Sequence, residues 1–299
     1  MGQAMIPIEL CTVLATHSDL QFNEGPYRSS IRRENKRSIL SVTDGRQTLS
    51  VPLLWAFGNG KAGQTYLFEY QGALHESRVS FYKDSGRLDL TMGALGSTPA
   101  NLVDAAGRLM NSIDARDCFG CHAPGTVLRG RLNLEDPVPG VRCVDCHAGA
   151  EKHAAATLSG DVANAKLPQL RRIGAEEMNE LCGRCHRTWS EISLNGPHGV
   201  NNVRFQPYRL TNSKCYDPGD PRIRCTACHD PHKPVETDRS TYDRACIACH
   251  SRAGHGRNCP LAQRDCVHCH MPQVELPGSH TAFTDHQIRV VRSGEPYPN

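Results

Sequence analysis

Between Tyr27 and about Gly93 the hydrophobic positions come in short runs separated by turn residues. Ser38–Val42, Thr48–Leu53, Thr65–Tyr70 and Arg78–Phe81 carry the β-branched and aromatic residues, with Asp44-Gly45, Gly58-Asn59-Gly60 and Asp84-Ser85-Gly86 between them. Runs of that length and makeup predict the strands of a small antiparallel sheet. Near residue 97 the period changes. Ser97-Thr98-Pro99 offers a capping hydroxyl and an early proline, and Leu102, Ala106, Leu109, Met110 and Ile113 follow at helical spacing, so one helix is predicted there. A second helix is predicted from Gly174 to Thr188, with Met178, Leu181 and Cys182 on one side. Beyond these, frequent prolines make the second part of the chain read mostly as loop.

Cysteine spacing reshapes that picture. Cys-x-x-Cys-His occurs six times: Cys118, Cys121, His122; Cys143, Cys146, His147; Cys182, Cys185, His186; Cys225, Cys228, His229; Cys246, Cys249, His250; and Cys266, Cys269, His270. Each is the attachment signature of a c-type haem. Two thiols add across the porphyrin vinyl groups as thioethers, and the following histidine reaches the iron. Paired cysteines also occur in zinc sites and in redox dithiols, but neither needs a histidine directly after the second cysteine. Six covalently attached haem c groups are therefore expected.

The motifs all lie after residue 117. The fold class expected is α+β: a small antiparallel β-rich N-terminal domain over 1–100, then a mainly α and loop hexahaem cytochrome c domain over 101–299, organised around stacked haems. Only 38% of the 299 residues are hydrophobic and 6% aromatic. Burying porphyrins would supply the apolar area that the side chains lack, so the apoprotein is not expected to fold over its second two-thirds.

Formal charge is +3. Haem propionates and ferric cores would bring it to about −3 oxidised and about −9 reduced. The basic residues then screen cofactors, and with no basic stripe interleaved with aromatics a nucleic-acid role is not expected. No apolar run is long enough for a transmembrane segment. Residues 1–20 lack the basic and apolar regions of a secretory leader. Haem c is attached after export, so a periplasmic or extracellular location is expected, with the leader absent from this sequence.

Six irons closed on both sides need six further ligands. Histidine supplies enough, and bis-histidine ligation keeps potentials low, whereas methionine raises them. Met92, Met110 and Met178 are the methionines to weigh. The distal candidates are His17, His153, His198, His232, His280 and His286. His232 and His153 follow motif histidines too closely to round their own haem, so each is expected to serve a neighbour. His280 and His286 are six apart, which on a helix is a rotation of roughly 240°, towards different haems. His198 lies in Gly196-Pro197-His198-Gly199, a turn allowing close approach. His17 shares a helical face with Leu10, Val13 and Leu14. His75 is a weaker candidate, and His255 and His268 read as surface residues or neighbours of a ligand. Of the three remaining cysteines, Cys215 and Cys259 are expected to pair in an oxidising compartment, leaving Cys11.

The run Cys266–Pro272 followed by Thr284-Asp285-His286-Gln287-Ile288 resembles the last haem site of the pentahaem ammonia-forming nitrite reductases. Ser279–Phe283, Cys225–His232 and Gly196–Gly199 are similar to the wider multihaem cytochrome superfamily, which includes tetrahaem electron carriers, octahaem reductases and hydroxylamine oxidoreductases. The resemblance covers roughly 118–290. It implies closely stacked haem pairs and His286 as a distal ligand. All six motifs here end in histidine, whereas the nitrite reductases hold their catalytic haem with a motif ending in lysine. Hydroxylamine-oxidising relatives modify a haem with a tyrosine, and none of the eight tyrosines here is assignable to that role.

Two functions follow. One is an electron carrier with every iron closed, whose partners are other redox proteins or cytochromes, as a single chain, a homo-oligomer or a filament. The other is a reductase of small nitrogen or sulfur oxyanions with one haem open, walled by Arg204 and Tyr208 near His198. Residues 1–100 could add a docking module to either. Replacing His286 with Met should raise the potential of one haem and leave the haem count unchanged. A redox titration in which all six couples stay in place removes His286 from the ligand set.

Overall fold

The computed structural model describes residues 1–167, 169–251, 259 and 264–298. His255 lies outside the described residues. The chain divides into two compact units, residues 1–145 with 277–281, and residues 146–276 with 282–299. The first motif, Cys118 to His122, thus falls in the same unit as the strands.

The first unit is built on a nine-stranded antiparallel sheet. In chain order its elements are β1 (Met5–Pro7), α1 (Thr12–Thr16), β2 (Asp19–Glu24), β3 (Tyr27–Glu34), β4 (Arg37–Thr43), β5 (Thr48–Phe57), β6 (Gly63–Tyr70), β7 (Ala73–Tyr82), β8 (Arg87–Leu90), α2 (Leu102–Ala106), β9 (Gly107–Leu109) and α3 (Ser112–His122). Strands β2 to β8 form a meander, β1 adds to β5 and β9 to β7. Each of the four runs expected as strands lies inside β4, β5, β6 or β7. The turn between β6 and β7 places Gln71 at φ 52° and Gly72 at φ 76°, the paired left-handed conformations that match strand twist in a two-residue hairpin.

The meander curls until β2 comes up against β8. Arg78 of β7 closes the curl. Its guanidinium donates twice to the Glu24 carboxylate of β2, both at 2.6 Å, and twice to Ser97. Inside the curl lie Leu40, Val42, Leu53, Tyr66, Phe68 and Val79. On the opposite face of β5 and β6, Phe57 and Leu67 pack with Met5, Met110 and Phe119 of α3. The Phe119 ring meets Trp55 and Phe57 edge-on at 5.5 and 5.1 Å, a favoured aromatic geometry.

The single helix expected from residue 97 is two helices with a strand between them. Asn101, rather than Ser97 or Thr98, caps α2 through Asp104 N at 2.9 Å, and Asn111 caps α3 through Ile113 N and Asp114 N, both at 2.9 Å. Between the caps, Gly107 runs extended against β7, where a Cβ would collide with the Glu76 backbone and the Phe68 ring. Side-chain caps and close strand packing override the helical period here. Leu109 and Ile113 are consequently exposed while Met110 is buried. Likewise Leu10 is exposed while Leu14 is fully buried, so His17, at the end of the five-residue α1, does not share a buried face with Leu10.

A short hairpin, β10 (Val127–Leu128) and β11 (Arg131–Leu132), follows α3, and α4 (Cys143–Cys146) carries the second motif. The second unit holds α5 (Ala150–Leu158), α6 (Ala175–His186), α7 (Trp189–Asn195), α8 (Gln206–Thr211), α9 (Cys225–Cys228), α10 (Asp243–His250), α11 (Cys266–His270) and the hairpin β12 (Gln273–Glu275) with β13 (Ala282–Thr284). The helix expected to Thr188 stops at His186, because Thr188 begins a capping box with Glu191 for α7.

Both apolar clusters among the described residues lie in the first unit. In the second, buried apolar side chains are scattered and often small: Ala150, Ala156 and Ala175 beside Met178, Ile192 and Val203. A chain made without haem should therefore keep the sheet and lose the second unit. Limited proteolysis of such a chain is expected to leave a resistant fragment ending near residue 145. Equal protection on both sides of that point would show that the second unit folds on side-chain burial alone.

Candidate haem sites

All six motifs sit on helical turns: at the ends of α3, α6 and α10, over α4 and α9, and along α11. Residues three and four apart lie on one helix face. One turn thus presents two thiols and a histidine to the same side, which is what covalent capture of a porphyrin edge requires.

Several of the motif thiols are shifted away from the range of an exchange thiol. Burial pushes Cys118 up to about 11, and burial together with Cys266 pushes Cys246 up to about 12. A disulfide-exchange thiol has a lowered pKa. Cys182 and Cys225, the first thiols of motifs three and four, touch. The Cys225 S–H donates to Asn179 Oδ1 at 3.1 Å, and the contact between the two thiols, with burial, raises Cys225 while it lowers Cys182. The attachment points of two motifs are thereby brought side by side. Motifs five and six are joined through Asp243 at the start of α10. Its carboxylate accepts from the Asp265, Cys266 and Val267 amides and so caps α11. Arg239 holds the same helix by donating to Val267 O at 2.9 Å and Met271 O at 2.6 Å. Cys215 and Cys259, expected as a pair, are not joined by a disulfide. Cys215 lies near Cys228, Cys246 and Cys249, and Cys259 lies near Cys266.

Five of the candidate imidazoles share one pattern, while the buried Nδ1 of His147 has no hydrogen-bond partner. Nδ1 donates to a backbone carbonyl in His122 (Ala4 O, 2.8 Å), His270 (Arg289 O, 2.9 Å), His286 (Thr284 O, 2.9 Å), His153 (Ala165 O, 3.1 Å) and His17 (Val13 O, 3.1 Å). A carbonyl only accepts, so the proton is on Nδ1 and the lone pair on Nε2. Metal-bound histidines are oriented in the same way. His232 makes its Nδ1 contact with Asp230 at 3.2 Å.

Two pairs of rings stand out within the second unit. His147 and His232 are 6.0 Å apart, centre to centre, with planes inclined by 14°, and His229 and His286 are 6.1 Å apart, inclined by 34°. A metal–imidazole bond is about 2.0–2.1 Å and the ring centre lies about 1.1 Å behind the nitrogen, so two imidazoles on opposite sides of one metal stand about 6.2–6.4 Å apart. Each pair joins a motif histidine to a distal candidate from another part of the chain. Burial lowers the pKa of His229 and takes His286 down to about 4, against the opposing pull of the Thr284 carbonyl. Both are therefore neutral at physiological pH, the form that binds a metal. Imidazole pairs at these separations have the donor chemistry that a haem c iron takes.

Other candidates are placed differently. His198 is exposed at the head of the turn Gly199–Asn202, and His268 is exposed on α11. His280 has φ 51° and packs against the Tyr82 ring at 4.7 Å. Its Nε2, the nitrogen that would meet an iron, contacts Asp89 Oδ2 at 2.9 Å. His75 is buried and stacked on Phe68 at 5.2 Å inside the first unit. Arg204 lies over its neighbour Phe205 at 5.1 Å, and Tyr208 is in α8. Among the residues that sequence reasoning did not single out are Asp243, Arg239, Asp89 and the carbonyls of Ala4 and Arg289. Nothing in their local spacing marks them, since each acts on a residue distant in the chain.

Residues 75–148 match the family model described as cytochrome c554 and c-prime. That match supports a c-type cytochrome. Covalently bound haem c, redox partners and electron transfer are in keeping with it at that level. The matched segment contains β7, α3 and the first two motifs. No curated protein and no solved structure matches the chain. Among the described residues, no helix is long and apolar enough to cross a membrane.

Asp243→Ala should remove the cap of α11 at a cost of about 0.5–2 kcal/mol. Hydrogen exchange would show this as faster exchange of the 265–270 amides with the α3 amides unchanged. Unchanged exchange at 265–270 would mean that Asp243 does not hold that helix.

Proposed function

We propose that this chain is a six-haem c-type cytochrome that carries electrons through closely spaced, low-potential bis-histidine haems. Cys118, Cys121, Cys143, Cys146, Cys182, Cys185, Cys225, Cys228, Cys246, Cys249, Cys266 and Cys269 would form the thioethers. His122, His147, His186, His229, His250 and His270 would be the proximal ligands. The observation that carries this reading is the pair of imidazole separations, 6.0 and 6.1 Å, each linking a motif histidine to a distal candidate. They favour His232 opposite His147 and His286 opposite His229. His17, His153, His198 and His280 remain the candidates for the other irons.

When bound, each haem iron would exchange single electrons between ferric and ferrous states. The protein holds ligands on both sides, so coordination stays constant through the cycle and no substrate position is needed. The contact between Cys182 and Cys225 and the cap from Asp243 keep neighbouring attachment points close, as stepwise transfer requires. Partners would be other redox proteins or cytochromes outside the cytoplasm, with assembly into a homo-oligomer or filament as a further arrangement.

One observation favours a second reading. Asp89 occupies the Nε2 of His280, so that candidate is not free to close a haem as it stands. An iron left open would suit a reductase of small nitrogen or sulfur oxyanions.

Low-temperature EPR of the oxidised holoprotein, with haems counted by intact mass on the same sample, separates the two. Six haems with only low-spin signals are expected for the carrier. A high-spin signal from one haem in six would replace the carrier with the reductase, and fewer than six haems would overturn the cofactor count.

A further inference from the structure

In the second unit, residues 284–289 hold two haem-site histidines on one short stretch of chain. The stretch carries His286, whose ring stands 6.1 Å from that of His229 of motif four. Three residues on, Arg289 O accepts from Nδ1 of His270 at 2.9 Å, and Arg289 N donates to His270 O at 3.2 Å. His270 belongs to motif six. Beyond the end of β13 at Thr284 the stretch has no regular structure, so side chains set its path.

Asp285 is at the centre of those side chains. It is 0% exposed. Its Oδ1 accepts from Arg209 Nε at 2.9 Å and from Gln287 N at 3.0 Å. Its Oδ2 accepts from Arg209 Nη2 at 3.0 Å and from Arg289 Nη1 at 2.6 Å. Arg209 is also 0% exposed. It donates to Asn202 Oδ1 at 3.1 Å and Pro298 O at 2.9 Å, and it lies over the Tyr297 ring at 4.6 Å. A separate clamp comes from Ser213, whose Oγ donates to His286 O at 3.1 Å and accepts from Ile288 N at 2.8 Å.

A buried ion pair is weak evidence for stability, because an apolar pair of the same size often does as well. What a two-pronged guanidinium–carboxylate pair supplies is direction. Here it fixes the plane of the Asp285 carboxylate, which in turn fixes the turn through Gln287 and the reach of Arg289. The geometry points to Asp285 as the positioning residue for two haem ligands at once, His286 beside it and His270 through Arg289. This rests on the haem reading above.

The test uses the holoprotein. Asp285→Asn keeps the size and removes the charge. With six haems retained by mass, two of the six low-spin EPR signals are expected to shift in g value. Two midpoint potentials should rise with them, since an anion has been removed, while the other four haems stay as they were. Ser213→Ala keeps the ion pair and releases only the His286 carbonyl, so it should shift one of the same two signals. A purely structural role for Asp285 would lower the melting temperature with no such selection. Six unchanged signals, or only one changed, in Asp285→Asn overturns the proposal. If that variant does not fold, Ser213→Ala decides, and no shift in it overturns the bracket. Failure of the haem reading itself is distinct: peptide mapping of the unaltered protein would find motif four or six without haem.

Discussion

A backbone carbonyl accepts hydrogen bonds and never donates them, and this one-way chemistry aims five of the twelve candidate imidazoles in this chain. Where Ala4, Thr284, Arg289, Ala165 or Val13 takes the Nδ1 proton, Nε2 is left with its lone pair outward. Spacing alone would let the cysteines hold a haem, whereas a ligand to its iron would need a ring held at one angle, which these carbonyls supply. Several of these anchors are distant in sequence: Ala4 holds His122, and Arg289 holds His270. The residues that orient the ligands thus lie far from the motifs themselves.

The two units solve the burial problem differently. The first has a conventional core on both faces of its sheet, and the helix bearing the first motif shares it through Phe119. The second buries small or isolated apolar side chains, and its most deeply buried large side chain is Arg209. At about 25 cal/mol per Å² of apolar area, porphyrin faces are the obvious source of what is missing. Attachment turns such as α9 and α11, only four and five residues long, are too short to persist alone. Caps from Asp243 and carbonyl contacts from Arg239 compensate in part.

Much was legible before any coordinates. Ser38–Val42, now in β4, alternates with its core side buried, while the runs in β5 to β7 are rich in β-branched and aromatic residues because apolar clusters pack on both faces of the sheet. β3, with the sequence Tyr27–Glu34, carries three arginines and buries only Ser29 and Ile31, so its alternation is masked by charge. The helix read across 97–113 failed at Gly107, where the strand partner leaves no room for a side chain and two asparagines cap the helices on either side. His280 shows the same limit in the site. Its sequence neighbours mark it as a ligand candidate, and only the fold brings Asp89 against its Nε2.

The sequence by itself marked the six candidate attachment sites, because the signature of two thiols and a histidine lies within five consecutive residues. It also determined that histidines are numerous enough to serve as second ligands. Only the tertiary structure decided which ring faces which. His147 with His232, and His229 with His286, are brought near each other from segments separated by several helices. A distance of 6 Å between rings from separate segments depends on caps, carbonyls and a buried ion pair that no local spacing encodes.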